Sequence, residues 1–495
     1  MTMMTRRTLL LLLIRPVMSG SVVADAWTEA KPNIVNQLIL SLFLSFLCSA
    51  PILLAADGEE ASGKPRQPMT LKEIIRPYAG PVEKGVDNTT LYNKVMCGYQ
   101  GWFAHKLDGY TGENMHWAGG GGDIDQNPPR CSVDLWPDLS ECDPDELFPT
   151  NYKYADGSPA YVFSSTQKKT VVRHFKWMQE HGIHGVFKQR FGSTFTTDGV
   201  FSRDAVKYAS GLAALSHCRE GANRYGRVYA VMYDVSFHKK MVDAIIKDWT
   251  VLYNEMGITK TPAYARHRGG PVVSLWGYGF GHRKVDPAAA ERLFKFLKDP
   301  KNGGCTIMLG VNNDWGKMKG AKLELLKKYA TIVSPWTPGR YRTPDEATTF
   351  FDRWMLHDLP ICEKYKLDYY PVAFPGFSWA NLKYKQNAKL NVIPRLGGKL
   401  FWSQVEAVRK HKVNMLYVAM FDEVDEGTAM FKCLNNPPMG RFATYEGYPS
   451  DHYLRLTGLA GKAIAGEDVA FPEVQPVPVT YKPMTKEEYD DPERR

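Results

Sequence analysis

From Lys94 onward, short β-rich apolar runs alternate with segments of helical period, and the alternation repeats eight times. Consecutive parallel strands need a crossover between them, and eight strand–helix units in a row close most simply into a (β/α)8 barrel. The strands are expected at residues 95–103, 185–191, 228–234, 271–277, 306–312, 331–336, 369–374 and 415–421. Helices are expected at 169–181, 287–298, 323–329, 399–410 and 451–465, and around Phe350, Phe351 and Trp354. Behind the third strand, Val242, Ile245, Trp249 and Met256 form one apolar stripe. An open doubly wound sheet is the competing architecture, and it normally carries a glycine-rich phosphate turn after its first strand. Gly98-Tyr99-Gln100-Gly101 is not such a turn, and Gly277-Tyr278-Gly279-Phe280-Gly281 lacks both the spacing and the following helix.

The expected organisation is an export segment over residues 1–56, a polar linker over 57–90, one large domain over 91–465 and an extended tail over 466–495. Residues 38–56 follow Lys31, are strongly apolar, and end in small residues before Asp57-Gly58-Glu59-Glu60. That is the order of a secretory signal peptide, set back from residue 1 as if export began near Lys31. The same 19 residues are long enough to span a bilayer, so an N-terminal anchor is the alternative. Pro51 and the Ala55-Ala56 ending favour cleavage. A secreted or periplasmic protein with no stable membrane partner is therefore expected. Seven cysteines follow Ala56, an odd number that leaves at least one thiol unpaired. Cys131 and Cys142 flank a short loop and form the best candidate disulfide. Both lie in a long insertion after strand 1, residues 104–167, far beyond the usual strand-to-helix connection and so expected to cover the barrel mouth.

Lys plus Arg number 62 against 53 Asp plus Glu, a net charge of +9. Four of those bases and two of the acids lie in residues 1–56, so the remainder carries +7, spread without basic runs. Nucleic acid is not an expected partner on that distribution. With 12 Trp, 26 Tyr and 23 Phe the chain is rich in rings, which either fill a core or stack on flat apolar faces such as those of sugars.

Barrel enzymes work at the C-terminal ends of their strands. Polar and aromatic residues gather there: Gln100 and Trp102, Gln189 and Arg190, Tyr233 and Asp234, Trp276, Asn312 to Asp314, Trp336, and Phe377 to Trp379. The eighth strand ends most sharply, in Asp422-Glu423-Val424-Asp425-Glu426-Gly427-Thr428. Four carboxylates in five residues repel one another, so at least one is driven toward protonation. A protonated acid beside an ionised one is what glycosidic cleavage requires. An acidic loop binding a hard cation is the other reading of such a cluster. Elsewhere no metal site is supported, because Pro128 occupies the glycine position of the EF-hand-like run that starts at Asp123. Metalloprotease, serine hydrolase and P-loop motifs are absent.

The stretch from Asp422 to Thr428 resembles the Asn-Glu-Trp-x-Glu-Gly-Thr segment of glycoside hydrolase family 99, the endo-α-mannosidases. More broadly, residues 95–460 resemble the family 71/99-like proteins. The shared passages are those from Gly98 to Phe103, Val133 to Asp138, Arg173 to Phe175, Gly185 to Phe187 with Gln189 to Phe191, and Pro375 to Trp379. The resemblance implies a (β/α)8 barrel and retaining hydrolysis of α-linked glycans without a cofactor. It implies that Glu423 assists the sugar 2-hydroxyl in forming an anhydro-sugar, and that Glu426 acts as general acid and then base. Asp422 stands where the family has Asn, Val424 where it has Trp, and Ala429-Met430-Phe431 where it has polar residues, so mannose specificity does not carry over. An exported glycoside hydrolase is thus expected, with Gln100, Trp102, Gln189, Arg190, Tyr233, Asp234, Trp276, Trp336, Asp422 and Asp425 as substrate contacts. A carbohydrate-binding barrel that has lost catalysis is the alternative.

Overall fold

The computed structural model describes residues 65–192 and 205–491, and the expected export segment lies outside them. Eight parallel strands line the centre: β1 Lys94–Tyr99, β2 Gly185–Phe191, β3 Val228–Asp234, β4 Gly270–Tyr278, β5 Thr306–Asn312, β6 Ile332–Trp336, β7 in two pieces, Asp368–Tyr369 and Val372–Ala373, and β8 Met415–Val418. A helix follows each: α1 Lys168–Glu180, α2 Ala205–Arg224, α3 Lys239–Thr250, α4 Pro287–Lys298, α5 Ala321–Tyr329, α6 Pro344–Tyr365, α7 Lys399–Lys410 and α8 His452–Ile464. The sheet runs continuously from β6 back through β1 to β8. It closes at β7, whose first piece pairs with β6 at Asp368↔Ile332 and whose second pairs with β8 at Val372↔Tyr417. Pro371 lies between the pieces and has no N–H to offer, but its carbonyl accepts from Tyr417 N at 2.9 Å. The architecture is the expected (β/α)8 barrel.

Local signals account for most boundaries. Helices α4 and α6 each begin with proline just inside a side-chain cap, Asp286 and Thr343, which supplies acceptors for the first free N–H groups. Strand β1 stops at Tyr99, short of the expected Phe103, because Gly101 takes φ +54 and turns the chain. Helix α2 carries no clean apolar stripe, and the periodicity did not reveal it. Residues 71–76 lie against it, with Arg219 donating to Arg76 O at 2.9 Å, so it is covered on more than one side.

Helices α8 and α1 approach closely at Gly458, where a Cβ would fall 1.7 Å from His181 O. Gly458→Ala is therefore expected to destabilise the fold by about 1–3 kcal/mol, measured by urea melts. An unchanged midpoint would mean that the two backbones separate freely.

The long insertion is ordered and builds its own small core. A hairpin, Phe148–Lys153 with Pro159–Val162, packs with Trp117 and Trp136, both fully buried. The expected disulfide is not present: Cys131 and Cys142 are both free thiols. Cys131 is sealed beside the Tyr152 hydroxyl at 3.4 Å, whereas half-buried Cys142 sits near Glu146 and Arg173. Aromatic packing holds the insertion where a bridge was expected. The tail returns to it, with Tyr489 buried against Tyr152 and Asp490 paired with Arg130 at 3.0 Å.

Candidate active site

After β8 the chain folds back on itself, with Phe421 N bonded to Gly98 O at 2.7 Å and both Thr428 N and Ala429 N to Glu423 O at 3.1 Å. Gly427 makes the turn possible at φ +61, with Ser378 so close that a Cβ would stand 2.8 Å from its Cβ. This tight loop sends its four carboxylates to three different places.

Asp422 is fully buried and occupied by backbone, accepting from Gln100 N at 2.7 Å and Gly101 N at 2.8 Å. Burial pushes its pKa up to about 6 against those bonds. It locks the end of β1 to the end of β8, and so is a brace under the expected sugar-binding surface. Asp425 accepts from, or is bridged by, His116 Nδ1 at 3.0 Å, and its other oxygen is buried without a partner. Glu423 is 6% exposed and accepts from Gln100 Nε2 at 2.5 Å and Thr428 Oγ1 at 2.6 Å. Burial, then the charges of Glu426 and Asp425, drive its pKa well above the usual carboxylate range. Glu426 is half-buried, and burial followed by the Asp425 charge raises its pKa to about 7, with Lys383 opposing. Neither glutamate is in an ion pair among the described residues.

Two groups of rings stand at the strand ends, the first joined to the acidic loop through His116. Trp102 is sandwiched between His116, with centroids 3.8 Å apart and planes at 6°, and Phe191 at 4.8 Å. Trp276 meets Phe280 at 4.7 Å, Trp336 at 5.2 Å and the Arg283 guanidinium at 4.6 Å. The indole N–H groups of Trp102 and Trp276 are buried without partners. Gln189 lies beside Met420, its Nε2 3.8 Å from the sulfur, while Asp234 is tied to Arg283 and raised by burial.

Arg190 and Tyr233 do not join this group. Arg190 forms a two-pronged bond with fully buried Asp248 of α3, and the Tyr233 hydroxyl donates to the same carboxylate at 2.7 Å. Strand alternation explains this placement: Gln189 and Arg190 are neighbours, so they leave opposite faces of the sheet. Asp248→Ala would remove the buried carboxylate that takes two bonds from Arg190, an expected loss of about 3–5 kcal/mol in a denaturant melt. Replacing both partners with apolar residues should recover much of that loss.

The insertion supplies groups that periodicity could not assign. Besides His116, fully buried Asp134 accepts from Ser378 Oγ at 2.5 Å, Ala380 N at 2.7 Å and Asn381 N at 2.8 Å. Its own N–H and that of Leu135 bond to Val424 O, in the acidic loop, at 3.0 and 3.2 Å. The insertion is thus stitched to the loops after β7 and β8. Among the described residues, no three His, Cys, Asp or Glu side chains converge as a metal-binding set. No helix among them is long and apolar enough to cross a membrane.

No family model matches this sequence, and no curated protein matches it. Among solved structures, a family 99 endo-α-mannosidase from Bacteroides thetaiotaomicron aligns at 13% identity with a TM-score of 0.53, over 76% of this chain and 98% of that one. A second structure of that enzyme, in complex with bis-tris-propane, gives a TM-score of 0.51 at the same identity and coverage. The chain shares the barrel fold of these structures. At 13% identity the family 99 likeness is one of fold.

Proposed function

We propose that this chain is an exported glycoside hydrolase that cleaves α-linked glycans with retention of configuration. The observation that carries the reading is the Glu423–Glu426 pair at the C-terminal end of β8. Both are free of ion pairs among the described residues, and burial with neighbouring carboxylate charge raises the proton affinity of each. A loop carboxylate locked to Arg or Lys would instead have favoured a binding barrel without chemistry.

In the proposed reaction Glu426 gives its proton to the glycosidic oxygen as the bond from C1 breaks. Glu423 takes the proton of the 2-hydroxyl, whose oxygen closes on C1 to form an anhydro-sugar. Glu426 then takes a proton from the water that opens this ring at C1, and Glu423 returns its proton to O2. In the free site burial and mutual repulsion raise the proton affinity of the pair, so that a proton is retained on it. A sugar hydroxyl donated to Glu423, added to the bonds from Gln100 and Thr428, favours its ionised form and shifts that proton toward Glu426.

A screen against α-linked plant, algal and microbial polysaccharides tests the reading, with the anomer of the first-formed product followed by NMR. An α product first is expected. A β product would sink retention, and binding without any hydrolysis would favour the non-catalytic barrel.

A further inference from the structure

Gln100 presents its side chain to Glu423, and the peptide that carries it is gripped from both sides. Its N–H is held by Asp422, and its carbonyl accepts from Lys188 Nζ at 2.6 Å. The same ammonium donates to Gln189 O at 2.8 Å. Lys188 lies on β2 opposite Tyr99 of β1 and is 2% exposed. The groups that face it are Cys218 of α2, Asp422 after β8 and Arg190 on its own strand. Gly101 makes the room: a Cβ there would stand 2.7 Å from Lys188 Cε and 3.0 Å from Nζ. Burial lowers the Lys188 pKa to about 8 and raises that of Asp422 to about 6, so both stay charged near neutral pH.

Burying an ammonium is costly, and a neutral donor would satisfy a carbonyl at lower cost. What the lysine adds is one rigid point bonded to two backbone carbonyls, those of Gln100 and Gln189, both on the expected substrate surface. Gln100 Oε1 is buried without a partner, so the side chain fixed in this way still offers an acceptor. We infer that Lys188 is a positioning residue: by holding the carbonyls of Gln100 and Gln189 it sets the Gln100 amide against Glu423 and so governs how that carboxylate works. The kinetic form of this inference rests on the glycosidase reading, while its geometric form does not.

The test uses the full chain with Lys188→Met, Lys188→Gln, Gln100→Ala and the double variant Lys188→Met with Gln100→Ala. Urea melts establish that each variant folds, and Lys188→Gln, which keeps a neutral donor, serves if the methionine variant does not. Lys188→Met is expected to lower kcat by about 10- to 100-fold, because sub-ångström misplacement of a catalytic group is expensive, with KM nearly unchanged. In the Gln100→Ala background the same change should have almost no further effect, whereas its cost in the melts should persist. The second readout is the Glu423 carboxyl titration, followed by 13C NMR on glutamate-labelled protein and assigned with Glu423→Gln. Losing the Gln100 bond should move that titration upward in Lys188→Met and in Gln100→Ala alike, with no further move in the double variant. Multiplying kcat losses, or a Glu423 titration unmoved in Lys188→Met, would overturn the inference. If the wild type hydrolyses no glycan, the glycosidase reading fails and the titration alone decides the role of Lys188.

Discussion

Glu426→Gln is expected to lower kcat on an unactivated α-linked glycan by about 10²–10⁴-fold, the usual contribution of a general acid. The substitution keeps the side chain's shape and removes its transferable proton. On a glycoside with an activated aryl leaving group the loss should shrink to a small factor, because such an oxygen departs with little protonation. Stability should move the other way. In the folded chain the Glu426 pKa stands at about 7 instead of its ordinary 4.5, so the folded form holds the proton more tightly than the unfolded chain does. The penalty for ionising it is absent below the unfolded value and complete above the folded one. At pH 8 the glutamine variant should therefore be more stable by about 1–2 kcal/mol, after discounting for partial exposure, and at pH 4 the difference should vanish. Kinetics on paired substrates and melts at the two pH values check both halves. Undiminished activity on the unactivated glycan would end the assignment.

Glu423→Gln should cost about as much as Glu426→Gln but show no rescue by a good leaving group. Its proposed task is to activate the 2-hydroxyl, which is needed whatever departs. The comparison matters because burial raises the proton affinity of both carboxyls in the free site. Should Glu423→Gln be the rescued variant, the two residues exchange roles, with Glu423 the acid. Asp422→Asn belongs to neither pattern. It keeps one acceptor for the Gln100 and Gly101 N–H groups while losing charge, so its cost should fall on folding as well as on rate.

Strands β2, β3 and β5 and helices α4 and α7 lie where apolar periodicity puts them, because each has one buried face and a defined turn at its end. Helix α2 was illegible because an overlying segment buries faces that would otherwise be polar. The acidic loop was legible from the crowding of like charges alone. What that crowding could not say was which carboxylates a substrate can reach: Asp422 is taken by backbone N–H groups and Asp425 faces His116, contacts that depend on distant residues. Arg190 parts from Gln189 for a simpler reason, since a two-residue period sets the two side chains on opposite faces. His116 and Asp134 belong to an insertion without repeating pattern, where only the folded chain brings residues 116 and 425 together.

The ring of strands has a clasp. Long registers join β2 to β3 and β5 to β6, but β7 pairs only two residues on either side of Pro371. Few backbone bonds mean low local resistance to opening, so any breathing of the barrel starts at this clasp. The segment beyond it runs directly into Ser378, whose N–H holds Glu426 O at 2.9 Å and whose hydroxyl holds Asp134. The β2–β5 arc is the firmly laced part of the ring and the β7–β8 arc the loosely laced one. The proposed acid is carried on this loosely laced arc, tied to the segment beyond β7 by the Ser378 N–H.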